Sequence, residues 1–370
     1  MSKSICRWGI LGAANIARKN WKAIRYAGNA TLIAVASRDA NRARQFVDDC
    51  QREVPYEDVP QSCMYDELLK RPDIDAVYIP IPTGVRKEWV VRTAEAGKHV
   101  LCEKPCASTL ADLQVMLDAC RSARVQFMDG VMFMHSERLP RMREILDDGR
   151  SVGAIRRISS QFSFAAPEEF LRSNIRVSGQ LEPLGALGDL GWYNIRLSLW
   201  AMRYQLPEAV TGRFLQVIEN HHHPLPLEFS GELLYPEGVT ASFYCSFRTE
   251  LQQWATLSGE HGTLRIDDFV LPYYGCESAF LIEKPVFQVE GTRFHMERHE
   301  ERLAVREYSD GHPTAQETRM FQTFSERVLK GQIDPFWPEV AYKTQQVLEA
   351  CLHSAQNHGQ PVTLTPAATM

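Results

Sequence analysis

Nowhere does the sequence carry an apolar run approaching the ~20 positions needed to cross a bilayer. Met1 to Ile10 likewise lacks the apolar core of a secretory signal peptide. Neither export nor a membrane span is expected. The nine cysteines (Cys6, Cys50, Cys63, Cys102, Cys106, Cys120, Cys245, Cys276, Cys351) never form the close pairs of zinc or dithiol motifs. Scattered and odd in number, they read as reduced thiols of a cytoplasmic protein. No lysine and arginine block could hold a phosphate backbone, and a formal charge of -5 is spread along the chain. Nucleic acid is thereby excluded as an expected partner. Repeats and low-complexity linkers are missing as well. Histidine clusters once, at His221-His222-His223 beside Pro224 and Pro226. Adjacent strand positions face opposite ways, so no metal site is expected there.

What is present is ordinary globular composition, 44% apolar and 24% charged, over 370 residues. That length suits two domains, because single cores rarely grow beyond ~250 to 300 residues. In the first third, short apolar runs (Cys6 to Leu11, Leu32 to Ala36, Ala76 to Ile79, His99 to Cys102, Gln126 to Asp129) alternate with stretches of helical period (Ile16 to Tyr26, Arg42 to Cys50, Lys87 to Ala96, Leu110 to Arg121). This is the pattern of βαβ units and a doubly wound parallel sheet, a Rossmann domain over residues 1–131. The rhythm changes after Gly153. Period-two runs at Ile155 to Phe164, Glu228 to Tyr235, Thr240 to Phe247, Trp254 to Ser258 and Thr263 to Ile266 predict a large open, mainly antiparallel sheet. Helices at Ala186 to Met202, Ala315 to Lys330 and Val340 to Asn357 complete a C-terminal α+β domain over 132–370. Helices on one face of such a sheet leave the other in need of cover, so a homo-oligomer, most simply a dimer, is expected there.

The turn after the first strand reads Gly9-Ile10-Leu11-Gly12-Ala13-Ala14-Asn15-Ile16-Ala17. Against the G-x-G-x-x-G dinucleotide fingerprint, Gly12 holds the tight turn, while Ala14 and Ala17 replace the other glycines. Its place between the first strand and first helix of a βαβ series points to pyrophosphate held by Gly12, Ala14, Asn15 and Ile16. After the second strand, NAD sites place an acid for the ribose 2'-hydroxyl, whereas this chain has Ser37-Arg38-Asp39. A hydroxyl followed by a guanidinium suits a 2'-phosphate, so NADP is expected, with NAD the alternative. The simpler reading is a solvated Arg38 with Asp39 capping the next helix.

Two further elements carry chemistry. Val100-Leu101-Cys102-Glu103-Lys104-Pro105 sets Lys104 at the carboxyl edge of the sheet, where an ammonium can orient cofactor and substrate hydroxyl. A second copy, Glu283-Lys284-Pro285, follows an apolar run of the C-terminal sheet and reads as surface structure. In Gly185-Ala186-Leu187-Gly188-Asp189-Leu190-Gly191-Trp192-Tyr193-Asn194-Ile195-Arg196, a helix puts Asp189 and Tyr193 one turn apart on one face. Taken alone, the segment reads first as a helix start with an early acid and a core tyrosine.

In their order and spacing, the glycine turn, Glu103-Lys104-Pro105 and Asp189-Leu190-Gly191-Trp192-Tyr193 resemble the Gfo/Idh/MocA oxidoreductase family over nearly the whole chain. Gly185 to Arg196, Ala241 to Phe247 and Gly262 to Phe269 resemble a plant and bacterial subgroup whose natural substrates are largely unassigned. The resemblance implies a Rossmann domain, an open-faced α/β domain, NAD(P) as cofactor, and sugars, inositols or their derivatives as substrates. It further implies catalysis by the residue matching Lys104, substrate binding by Asp189, and proton transfer by Tyr193. Pro82, Thr83 and Glu103 join the expected cofactor contacts. Where the family often has Pro-Asn and a nearby histidine, this chain has Pro82-Thr83-Gly84-Val85-Arg86. Arg86 is a candidate for an anionic substrate group or a solvated helix-start arginine. His135 and Arg176 are further candidate substrate contacts, with solvent exposure the alternative for Arg176.

The function expected is hydride transfer between nicotinamide and a hydroxyl or keto carbon of a sugar-like molecule. A redox-assisted sugar lyase or glycosidase with recycled cofactor, and a catalytically silent NAD(P)-binding sensor, are the competing readings.

Overall fold

The computed structural model describes residues 5–219 and 224–364; the histidine triplet 221–223 lies outside them. The chain forms two compact units. One gathers residues up to His135 with Ser178–Pro183 and Asp310–Gln345; the other holds Ser136–Val177, Leu184–Ser309 and the chain from Gln346. The first unit therefore includes three segments, 132–135, Ser178–Pro183 and Asp310–Gln345, that a single cut after residue 131 assigns elsewhere.

In the first unit, β1 (Cys6–Leu11), α1 (Asn15–Tyr26), β2 (Ala30–Ala36), α2 (Ala40–Glu53), β3 (Gln61–Cys63), α3 (Tyr65–Lys70), β4 (Ala76–Ile79), α4 (Thr83–Glu95), β5 (His99–Cys102), α5 (Leu110–Ala123) and β6 (Phe127–Asp129) follow one another. The strands lie in the order β3-β2-β1-β4-β5-β6, all parallel. A parallel sheet is covered on both faces, which is why its central strands are apolar throughout. Part of that cover comes from late in the chain. Trp8 on β1 meets Phe321 and Phe324 at 4.9 and 5.1 Å, and its indole N–H donates to Ser325 Oγ at 3.0 Å. These partners lie on a helix, Gln316–Leu329, that belongs to this unit. A fully buried Trp needs a partner for its N–H, and Ser325 supplies it.

The second unit opens with α6 (Arg138–Asp147), β7 (Ile155–Ser163), α7 (Glu168–Ser173) and α8 (Trp192–Ala201). Its strands continue as β8 (Ala209–Ile218), β9 (Leu225–Leu234), β10 (Thr240–Ser246), β11 (Gln252–Gly259), β12 (Thr263–Ile266), β13 (Ser278–Glu283), β14 (Val286–Glu290), β15 (Arg293–Glu297) and β16 (Glu300–Val305). The chain then runs through Gln316–Leu329 (α9), Phe336–Gln356 (α10) and Val362–Thr363 (β17). Nine strands form one sheet in the order β16-β13-β12-β11-β7-β10-β9-β8-β17, while β14 and β15 form a ribbon of their own. The large sheet is antiparallel apart from the β7–β10 pair. Along β7, Ile158, Ser160 and Phe162 are buried while Ser159 and Gln161 are partly exposed. The Asn194 side chain on α8 donates to Ser160 Oγ at 2.9 Å, identifying the helix-covered face.

Candidate active site

The loops after β1, β2, β4 and β5 lie at the carboxyl edge of the parallel sheet. The order of strands reverses between β1 and β4, the switch point where open α/β sheets hold ligands. Gly12 sits there with φ +135°, and a Cβ on it would come 2.7 Å from Ile81 Cγ2 at the end of β4. Only glycine fits both the conformation and the space. Ala14, by contrast, is extended (φ -94°, ψ 157°) and serves as the N-cap of α1 without a side-chain cap, so the missing second glycine costs little. Ala17 is fully buried. Asn15 and Ile16 are exposed on the first turn of α1, which holds no acid. A helix N-terminus with orphan N–H groups and no competing carboxylate is fit for a pyrophosphate.

At the end of β2, Ser37 is buried, and its Oγ accepts from the Asp39 amide at 3.3 Å. Asp39 caps α2, accepting from the Asn41 and Arg42 amides at 2.8 and 3.1 Å. Arg38 is exposed beside this cap. Sequence reasoning missed its companion. Arg42 Nη2 donates to the Ala13 carbonyl inside the glycine turn at 3.2 Å, and Arg38 and Arg42 both bear electrostatically on the Tyr65 phenol. One guanidinium reaches the turn and both act on the Tyr65 phenol; the spacing Ser37-Arg38-x-x-x-Arg42 was the available signal.

The loop after β5 is tied from two sides. Glu103 is buried rather than aimed at solvent: the Tyr78 hydroxyl donates to its Oε1 at 2.5 Å and the Lys104 amide to its Oε2 at 3.2 Å. Burial holds the Glu103 carboxyl above its usual range and pushes the Tyr78 phenol well up. Glu103 is thus part of the loop's footing. Arg86 is tied into the same loop. It is 2% exposed, and its guanidinium donates to the carbonyls of Ile81 at 2.9 and 2.6 Å and Glu103 at 2.9 Å, and to that of Pro105. With its donors on backbone carbonyls on both sides of Lys104, it holds the loop. Lys104 itself is half-buried.

Pro82 precedes α4 as its N-cap. Thr83 next to it is engaged by protein groups: its amide and hydroxyl donate to the Glu182 carboxylate at 3.1 and 2.5 Å. Glu182 comes from 99 residues away, so no local pattern could announce it. The His135 ring stacks on Trp337 at 4.8 Å.

In the second unit, the expected helix starts with a π-helical turn, Leu187–Gly191, before α8. Such turns are rare and favour functional sites. Gly185, at φ +48°, enters this turn where a Cβ would overlap the Pro226 carbonyl oxygen. Asp189 lies on the π turn and Tyr193 one turn on. Arg176 Nε meets Asp189 Oδ2 at 2.9 Å, joining two separately inferred residues. Tyr193 is buried, edge-on to Phe162 at 5.6 Å. The second Glu-Lys-Pro copy is on the surface, with Lys284 Nζ donating to the Arg150 carbonyl at 3.2 Å. Among the described residues, no group of three His, Cys, Asp or Glu could hold a metal ion, and no helix is long and apolar enough to cross a membrane.

Comparison with known proteins agrees with this architecture. Residues 6–131 match the family described as "Oxidoreductase family, NAD-binding Rossmann fold", and residues 140–265 match the Gfo/Idh/MocA C-terminal domain. A dTDP-3,4-didehydro-2,6-dideoxy-alpha-D-glucose 3-reductase from Saccharopolyspora spinosa is 30% identical over 75% of this chain and 79% of its own. A D-xylose 1-dehydrogenase (NADP(+)) from Haloferax volcanii is 30% identical over 70% and 74%. A crystal structure of a 3-ketoreductase from Actinomadura kijaniata with NADP and TDP-benzene superposes with a TM-score of 0.79 at 23% identity, covering 95% of this chain and 98% of that one.

Proposed function

The chain belongs to the Gfo/Idh/MocA oxidoreductase family, and from that premise we propose that it transfers a hydride between NADP(H) and a hydroxyl or keto carbon of a sugar or sugar derivative. Membership makes it an oxidoreductase with a nicotinamide dinucleotide in its Rossmann domain. The sugar class is supported by relatives named as a keto-sugar reductase and a xylose dehydrogenase. The observation that carries the choice of NADP is the pair Arg38, just after β2, and Arg42, in the first turn of α2, where a carboxylate after β2 would favour NAD.

When bound, the nicotinamide supplies or accepts the hydride. Gly12, Ala14, Asn15 and Ile16 would hold its pyrophosphate, and Ser37, Arg38 and Arg42 the 2'-phosphate. Pro82 would border the nicotinamide end. In the proposed mechanism Tyr193 moves the proton at the reacting oxygen. A phenol of pKa ~10 needs a positive neighbour to act near neutral pH, and Lys104 is the residue proposed for that role. Asp189, in its pair with Arg176, orients the substrate hydroxyl. His135 is a further candidate substrate contact.

We place the protein in the cytoplasm, supported by nine cysteines without a disulfide, and read it as a homo-oligomer, most simply a dimer. The partly exposed face of the nine-stranded sheet, with Ser159, Gln161, Ser242, Tyr244, Trp254 and Thr256, supports that reading. The test of function is a screen of sugars and keto-sugars, nucleotide-linked ones included, watched at the nicotinamide absorbance. One NADPH consumed per keto-sugar reduced is expected. Product formed without net cofactor consumption would instead identify a redox-assisted elimination, and the absence of any turnover would favour a sensor.

A further inference from the structure

α1 and α4 both begin at the carboxyl edge of the parallel sheet, yet the chain treats their first-turn amides differently. α1 has no acid in its first turn and no side-chain cap. α4 has no acid of its own there either, but a strap, Ser178–Pro183 of the same unit, closes its start. Glu182 accepts the Thr83 amide on Oε1 at 3.1 Å and the Thr83 hydroxyl on Oε2 at 2.5 Å. The Leu181 carbonyl accepts the Gly84 amide at 2.9 Å. A Cβ on Gly84 would stand 2.0 Å from the Gln180 carbonyl oxygen, so the missing side chain is what lets the strap lie on the helix. One helix start at this edge is thus left open to an anion, and the other already carries a carboxylate.

The place of that carboxylate gives it a consequence. Thr83 stands two residues after Ile81, whose side chain bounds the Gly12 turn, and its hydroxyl lies 3.4 Å from the Pro105 carbonyl just beyond Lys104. This is the switch point of the sheet, where a dinucleotide lies. Positive charge gathers around it: the half-buried Lys104, the buried Arg86 guanidinium and the start of α4. Glu103 is the weaker counter-charge, because burial holds its carboxyl above the usual range. A nicotinamide ring is neutral when reduced and cationic when oxidised, so positive surroundings alone favour the reduced form. We propose that Glu182 sets the redox preference of the bound cofactor: its half-buried carboxylate offsets the positive charge at this edge and strengthens binding of the oxidised, cationic nicotinamide relative to the reduced one. The proposal rests on the nicotinamide cofactor of the reading above and gives a role to a residue which that reading leaves unused.

Calorimetric titration of the full chain with NADP+ and with NADPH tests this, read as the ratio of the two dissociation constants. Glu182→Gln keeps the shape of the side chain and removes its charge. It should shift the ratio toward NADPH by about two- to fivefold, the range for one charge at a helix start, and the shift should shrink at high salt. Glu182→Ala, which removes charge and tether alike, should shift it at least as far. Glu182→Asp keeps the charge and should keep the parent ratio. So should Glu95→Gln, which removes one carboxylate from the exposed far end of the same helix. Circular dichroism should be the same in all. A parent ratio in both Glu182→Gln and Glu182→Ala, or an equal loss of the two cofactors in every Glu182 variant, would overturn the proposal and leave Glu182 a tether of the strap. Should the parent take NAD+ and NADH instead, the choice of NADP fails, while the same ratio read on that pair still decides the role of Glu182. A parent that binds no nicotinamide dinucleotide would overturn both.

Discussion

Arg176 Nε lies 2.9 Å from Asp189 Oδ2, an ion pair that ties a loop arginine to the π-helical turn ahead of Tyr193. Its side chains are 43 and 17% exposed, so solvent screens it and its worth is near the ~0.2 to 1 kcal/mol of accessible pairs. Its consequence is orientation of the carboxylate more than stability. Arg176→Met should lower the apparent affinity for substrate about two- to fivefold with little change in unfolding midpoint, read from KM and from a urea titration. An equal loss in Asp189→Asn and Arg176→Met, not deepened in the double variant, would mark them as one functional unit.

Arg38 and Arg42 should act together on cofactor choice. Each charge-assisted bond to a 2'-phosphate contributes about 1.5 to 3 kcal/mol, so Arg38→Ala and Arg42→Ala should each weaken NADPH binding by roughly 10- to 100-fold and leave NADH within a factor of three. Calorimetric titration of both cofactors checks this. Equal loss of NADH and NADPH in Arg42→Ala would mean that its bond to the Ala13 carbonyl supports the whole glycine turn.

Arg86 and Glu103 form the footing of the Lys104 loop, and stability should report it. Removing the guanidinium as Arg86→Met strands several buried carbonyls and should cost about 3 to 5 kcal/mol in a denaturant titration. Arg86→Lys should fall between, since one ammonium cannot span carbonyls on two loops.

The raised pKa of Glu103 also sets a pH dependence. The folded state keeps a proton that the unfolded chain releases above about 4.3. This stabilising contribution is fully present below that value and is lost as pH rises through the folded pKa. Unfolding free energy measured from pH 5 upward should therefore decline, by up to ~1.4 kcal/mol per pH unit from this group, and Glu103→Gln should flatten the slope.

Much of this was legible in the sequence, and the misses have physical causes. The central strands β1, β4 and β5 announce themselves because both faces are buried, and Asp39 behaves as the cap its position suggests. Short β3 was missed because its three residues are at most partly buried and carry no pattern. Arg86 and Glu182 were opaque for another reason: their partners are backbone carbonyls up to 20 residues away and a helix start 99 residues away, which periodicity does not encode. The π turn was flattened into an ordinary helix, its only hint being the glycines at 185, 188 and 191. The ribbon β14–β15 went unseen because its apolar residues face no core, although they alternate as a strand should.

Single-turnover hydride transfer, followed by nicotinamide absorbance once a substrate is in hand, tests the proposed chemistry most directly. Tyr193→Phe and Lys104→Met should each keep the fold and slow the transfer by about 10² to 10⁴ fold, the range for general acid-base catalysis. Lys284→Met, in the surface copy of the same tripeptide, should match the parent. A Tyr193→Phe variant that retains the parent rate would contradict the assignment of the proton relay and turn attention to His135; a damaging Lys284→Met with a harmless Lys104→Met would contradict the placement of the chemistry at the end of β5.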